Sequence, residues 1–121
     1  MSTVRNIGFI GFGNMAQAMA EGLIGADAVR PDQICACAKH WEKLKANTEA
    51  KGFRPLPTAE DVAREADLVV LAVKPYLIEE VTAPIWNILK EKIVVSVAAG
   101  WNFSKYEAIM PAGTRLICTI P

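Results

Sequence analysis

The chain reads as an α/β protein with a doubly wound parallel sheet. Strand-like and helix-like stretches alternate from end to end. The strand-like runs are continuously apolar rather than alternating, as strands covered on both faces by helices must be. A third observation fixes the starting point. The first run, Ile7 to Ile10, passes through Gly11-Phe-Gly13 directly into a segment with helical apolar spacing.

That opening has the pattern G-x-G-x-x-A, and each position has a physical reason. Gly11 permits a tight turn, Gly13 removes the side chain where a pyrophosphate must approach the backbone, and Ala16 is small enough for the helix to pack closely on the strand. The main-chain amides of Phe12, Gly13, Asn14 and Met15, with the positive end of the helix dipole, are expected to hold the anion. Such a loop needs no basic side chain, and none is present. Residues 1–121 are therefore expected to form one dinucleotide-binding domain of the Rossmann type.

Residues 25–32 read as a loop and residues 33–38 as the second strand. In this kind of unit the residue closing the second strand faces the adenosine ribose: an acid there bonds a 2′-hydroxyl and a base suits a 2′-phosphate. The chain has Ala38-Lys39-His40-Trp41 and no carboxylate at that place. Lys39 thus predicts NADP (as NADPH) as cofactor, with NAD second. His40 reads as a loop side chain able to assist the phosphate, and Trp41 as either a cover for the adenine or a staple for the next helix.

Residues 41–51 form a charged amphipathic helix ended by Gly52, and Phe53-Arg54 a short third strand. Thr58 is expected to cap a helix over residues 59–66, with Asp61 three positions on, and Asp67 closes the turn. Residues 68–73 are a buried strand running into Lys74-Pro75. A helix-like segment over 77–90 leads to a strand at 93–97 and then to Ala98-Ala-Gly100. Ser104 is expected to cap a short helix over 105–110, Pro111-Ala-Gly113 turns the chain, and residues 114–120 form a sixth strand. Ligands on such sheets gather beyond the carboxyl ends of the strands. Those ends supply the candidate cofactor-binding residues: Gly11, Phe12, Gly13, Asn14 and Met15; Lys39; Ala72, Val73, Lys74 and Pro75; Ala98, Ala99 and Gly100.

Composition narrows the classes. Hydrophobic residues make up 52% of the 121, enough for a real core. Thirteen basic and thirteen acidic residues cancel, so no nucleic-acid partner is expected. No apolar run approaches the ~20 residues of a membrane span, and no basic segment precedes an apolar signal core, so a cytoplasmic protein without a membrane partner is expected. Cys35 and Cys37 share one face of the second strand and Cys118 lies apart. With no paired histidine or cysteine cluster they read as small buried side chains, and no metal is expected.

Three spaced motifs, Gly11-Phe-Gly-Asn-Met15, Ala72-Val-Lys-Pro75 and Ser96-Val-Ala-Ala-Gly100, give the chain a family likeness. It resembles the N-terminal NADP-binding domain of pyrroline-5-carboxylate reductase, over essentially all 121 residues. Lys39 stands where that family usually has an arginine associated with NADP, in a run to Leu44 that resembles its R-x-x-E-K-L pattern. The resemblance implies NADPH-dependent reduction of a cyclic imine to proline, in amino-acid biosynthesis. It also implies a helical dimerisation and substrate domain, expected to be absent from these 121 residues, and a homo-oligomer wherever that domain is present. Ala59 stands in the place of a cofactor-contacting asparagine. In Arg115-Leu-Ile-Cys-Thr-Ile-Pro121 the residues Cys118 and Thr119 replace a family Pro-Asn pair.

An imine reductase requires orientation and a proton source more than a nucleophile. The chain agrees, with its one histidine on the adenosine side and no serine or cysteine beside an evident base. Lys74 either orients cofactor or substrate, or only fits the strand-to-proline turn, and no catalytic residue is assigned. The alternatives are another NADP-dependent oxidoreductase of this fold (a deazaflavin-dependent NADP reductase, a β-hydroxyacid dehydrogenase or an imine reductase paralogue) and a non-catalytic NADP-binding module. Trp101, Phe103 and Ile120 are expected to form an exposed apolar surface.

Overall fold

The computed structural model describes residues 5–98, 100 and 102–118, and of Phe103 the backbone. Its strands are β1 (Ile7–Ile10), β2 (Ile34–Cys37), β3 (Arg54–Pro55), β4 (Leu68–Leu71), β5 (Ile93–Ser96) and β6 (Arg115–Cys118). They form one sheet in the order β3-β2-β1-β4-β5-β6, every pair parallel. The order reverses at β1, which has β2 on one side and β4 on the other. That is the doubly wound topology expected from the alternation of elements, and it opens a crevice beyond the carboxyl ends of β1 and β4.

The period-2 geometry of a strand divides the core into two layers. Ile7 and Phe9 of β1, Ile34 and Ala36 of β2 and Val70 of β4 pack on one face with Ala16 and Ala20 of α1 (Asn14–Gly25) and Leu44 of α2 (Trp41–Glu49). Ile10, Cys35, Cys37, Val69, Leu71 and Val94 face the other layer, with Val62, Ala63 and Ala66 in and just after α3 (Ala59–Glu65). Cys35 and Cys37 share a face, as their spacing requires. Gly8 falls on this second face. A Cβ there would lie 2.5 Å from Val62 Cγ1 and 2.8 Å from Ala66 Cβ, so glycine is what lets α3 seat against β1.

Most boundaries follow the sequence signals. Thr58 caps α3 as expected: its hydroxyl oxygen accepts the Asp61 N–H at 3.1 Å and its O–H donates to the Asp61 carboxylate at 2.9 Å. Asp67, at the turn into β4, accepts the N–H groups of Arg5 and Asn6 at 2.9 and 3.0 Å, which ties the start of β1 to that turn. These bonds hold its carboxyl below the usual range.

Two expectations fail. The helix expected over 77–90 is broken into α4 (Ile78–Thr82), a 3₁₀ turn (Ala83–Ile85) and α5 (Trp86–Leu89). Pro84 is the cause, since it donates no N–H and its ring collides with the carbonyl four residues back. The capping residue of the next helix is Asn102, not Ser104: its side chain accepts the Lys105 N–H at 3.0 Å, and the helix, α6, is Phe103–Glu107 rather than 105–110. Asparagine outranks alanine-like residues at an N-cap as strongly as serine does, and Asn102 has the right spacing to the free amide.

Candidate cofactor cleft

The glycine loop is pinned from both sides. Gly11 donates its N–H to the Cys37 carbonyl at 2.9 Å, and Ala72 donates to the Ile10 carbonyl at 2.8 Å, so the loop sits between the ends of β2 and β4. Gly11 has φ +95, and a Cβ on it would approach the Ala72 carbonyl group to 2.8 Å and Val73 N to 2.9 Å. Only glycine fits. Phe12 turns its ring inward, edge-on to Phe9 and Phe53 with centroids 5.8 and 6.1 Å away, which leaves its main chain at the loop surface. Gln17 donates its side-chain amide to the Phe12 carbonyl at 3.1 Å and steadies the loop further.

Gly13 differs from Gly11. Its φ of −81 and ψ of −165 suit any residue, and a Cβ there would meet nothing within 4 Å. It is the N-cap of α1, no side chain caps the helix, and the first turn carries no acid. The N–H groups of that turn have no partner four residues back. They face open space, and that is what an anion needs: free amides, a favourable dipole and room to approach. The residues present fit a pyrophosphate.

This loop is one wall of a cleft of about 930 Å³. Gly11, Phe12, Gly13, Asn14, Met15, Lys39, Ala72, Val73, Lys74, Pro75 and Ala98 all line it. Gly100 is not among the lining residues; its carbonyl accepts a hydrogen bond from Lys105 Nζ at 2.9 Å. Ala99 lies outside the described residues, as do Thr119, Trp101 and Ile120, and the side chain of Phe103. Lys74 has φ −60 and ψ 146, the extended conformation that a following proline imposes, and its side chain is exposed at the rim. Ala59, in the place of the family asparagine, also lines the cleft. His40 does too, whereas Trp41, exposed at the start of α2, is not among the lining residues.

Sequence reasoning did not single out Lys43, Asn47, Pro57, Tyr76, Leu77 or Glu80, which also line it. Lys43 follows Lys39 by four residues, a spacing that was readable. Tyr76 comes from a 3₁₀ turn (Pro75–Leu77) and Glu80 from α4, and their direction depended on where the helical segment after β4 begins.

The thiol that lines the cleft is not an activated nucleophile. Burial pushes the Cys37 thiol, which lines it, up to about 12, and the neighbouring Cys35 thiol up to about 11. Both are neutral near pH 7 and unreactive. The unfolded chain releases these protons near 9.0 while the folded one keeps them, so their contribution to stability is complete below that value and is lost as pH rises toward 11 and 12. Urea unfolding is expected to show roughly 4 kcal/mol less stability at about pH 10.5 than at about pH 8, roughly 2 kcal/mol from each thiol. The Cys35→Ala, Cys37→Ala protein should lose that part of the slope.

The family model described as NADP oxidoreductase, coenzyme F420-dependent, matches residues 6–100. The chain belongs to that family. It is 35% identical over 120 residues to a pyrroline-5-carboxylate reductase of Treponema pallidum, covering 96% of this chain and 45% of that protein. With the pyrroline-5-carboxylate reductase of Methanosarcina acetivorans it shares 37% identity over 118 residues, covering 97% of this chain and 44% of the other. Among solved structures, the pyrroline-5-carboxylate reductase of Coxiella burnetii superposes with a TM-score of 0.85 at 35% identity, over 94% of this chain and 43% of that one. The chain spans less than half the length of these relatives. Similarity to this group is what the glycine, A-V-K-P and A-A-G motifs implied. Among the described residues no helix of this family member is long and apolar enough to cross a membrane, and no group of three histidine, cysteine or acidic side chains is placed to hold a metal ion.

Proposed function

We propose that residues 1–121 are the cofactor-binding half of an NADPH-dependent reductase of the pyrroline-5-carboxylate type. The observation that carries this reading is the uncapped, acid-free start of α1, open at Gly13, in one cleft with the exposed Lys39. The amides of Phe12 to Met15 hold the pyrophosphate, and Lys39 holds the 2′-phosphate. Ala72 to Pro75 with Ala98 flank the reactive end, where Pro75 fixes the direction of Lys74. Bound NADPH supplies the hydride. The small side chains at Ala72 and Ala98 leave space at the strand ends. The cyclic imine is held by a helical part of the kind the resemblance implies, which also forms the homo-oligomer.

Calorimetric titration with NADPH and NADH, followed by addition of pyrroline-5-carboxylate while nicotinamide absorbance is recorded, tests this. Binding that favours NADPH supports it, with or without turnover by this half. Binding of neither nucleotide sinks it. Lys39→Asp should weaken NADPH by roughly thirtyfold and leave NADH within about twofold, because a carboxylate repels the phosphate that an ammonium attracts. Equal losses would remove Lys39 from its role. The family description favours a second reading, exchange of hydride between NADP and a deazaflavin. Reduction of NADP by reduced coenzyme F420, with no turnover of the imine, would select it.

A further inference from the structure

Ser96 closes β5 beside Leu71 of β4 and Cys118 of β6, on the face of the sheet that packs against α3. An apolar residue would suit that layer. Instead Ser96 and Tyr106 of α6 are both buried, with their hydroxyl oxygens 2.5 Å apart. Burying two hydroxyls gains little net stability even when they bond each other, and either one left alone carries a desolvation cost. What such a pair supplies is direction, because it fixes one seating of α6 on the end of β5 where apolar contacts alone would allow several.

That end of β5 leads into the wall of the cleft. Ser96 Oγ accepts the N–H of Ala98 at 3.4 Å, and Ala98 lines the cleft. Lys105, the neighbour of Tyr106 on α6, donates its ammonium to the Gly100 carbonyl at 2.9 Å. The helix therefore holds the chain leaving β5 at Ala98, through Ser96, and at Gly100 directly. Ser96 and Tyr106 are not themselves among the lining residues, so they act from behind the wall. Burial pushes the Tyr106 hydroxyl above its ordinary value, and it keeps its proton through neutral pH.

We infer that the Tyr106–Ser96 hydroxyl pair is a positioning device for the reactive end of the cleft, setting where the Ala98 main chain stands against the ring of a bound dinucleotide. The inference rests on the cofactor reading proposed above and goes beyond it, because it assigns the alignment of that end to two residues outside the cleft lining. A misplacement of about 1 Å at such a wall is enough to spoil the alignment of what packs on it. The glycine loop after β1 and Lys39 after β2 are separated from β5 by β4. Loss of the pair is therefore felt at one end of the ligand only.

The test compares Tyr106→Phe, Ser96→Ala and the double variant with the parent protein in calorimetric titrations with NADPH and with adenosine 2′,5′-bisphosphate, which lacks the nicotinamide half. Thermal unfolding of each protein sets a temperature at which all are folded. Each single variant should bind NADPH about tenfold more weakly, the loss of one buried hydrogen bond, and the bisphosphate within about twofold of the parent. The double variant should be no worse than the weaker single, since the two hydroxyls act as one unit. If Tyr106→Phe does not fold, Ser96→Ala carries the comparison. A purely structural pair lowers the melting temperature and leaves the ratio of the two affinities where it was. That outcome, an equal loss for both ligands, or losses that add in the double variant would overturn the inference and leave the cofactor reading standing. A parent protein that binds neither ligand takes both down together.

Discussion

Gly13→Asp is expected to leave the protein as stable as before, or slightly more so, and to abolish binding of NADPH. The two halves of that outcome come from one position. Gly13 caps α1 with φ −81 and ψ −165, an extended conformation open to any residue, and a side chain there meets nothing within 4 Å. Aspartate is a better N-cap than glycine by a few tenths of a kcal/mol, because its carboxylate accepts the free amides of the first turn. It also places a negative charge near the favourable end of the dipole. Those amides are the ones a pyrophosphate would use. The carboxylate therefore fills the anion cradle and repels what should enter it, at a cost of several kcal/mol, so affinity falls by about a thousandfold. Thermal unfolding and calorimetry on the same sample check both halves. A variant that melts normally yet binds NADPH as before would place the pyrophosphate elsewhere.

The same loop shows why some of the site could be read from the sequence and some could not. The G-x-G-x-x-A pattern, the basic residue after β2 and the small strand ends are local signals. Their meaning follows from one strand-turn-helix unit, and the structure gathers Gly11 to Met15, Lys39, Ala72 to Pro75 and Ala98 around one cleft. The two-layer core was legible for the same reason, since period-2 strands dictate which residues share a face. Tyr76, in the 3₁₀ turn Pro75–Leu77, and Glu80, in α4, depended instead on where the helix after β4 begins, so their side of the cleft was not settled by pattern. Gly8 was invisible as a requirement. Nothing around it in sequence says that Val62 and Ala66 approach it across the sheet; that contact is tertiary. The cap at Asn102 was a choice between two polar residues two positions apart, and spacing to Lys105 decided it.

Gly11→Ala should behave in the opposite way to Gly13→Asp, losing stability first and binding as a consequence. At φ +95 an L-residue is strained whatever space surrounds it, and here there is none. The atoms a Cβ would meet at 2.8 to 2.9 Å are the main chain of Ala72 and Val73, which cannot rotate aside as a flexible side chain can. That main chain is held in turn by the bond from Ala72 N–H to Ile10, while Gly11 itself is held to Cys37. Relief requires the end of β4 to move away from β1 and breaks one of these ties. The cost combines backbone strain with overpacking and comes to about 4 kcal/mol, enough to lower the melting temperature by roughly 15 °C in a domain of this size. Because β4 runs on into Lys74-Pro75, the same displacement shifts the far wall of the cleft, and NADPH affinity should fall even well below the melting temperature. Denaturant unfolding of both glycine variants side by side separates the two roles. Equal stability of Gly11→Ala and the parent protein would show that the β1 and β4 ends are not held as closely as these contacts require.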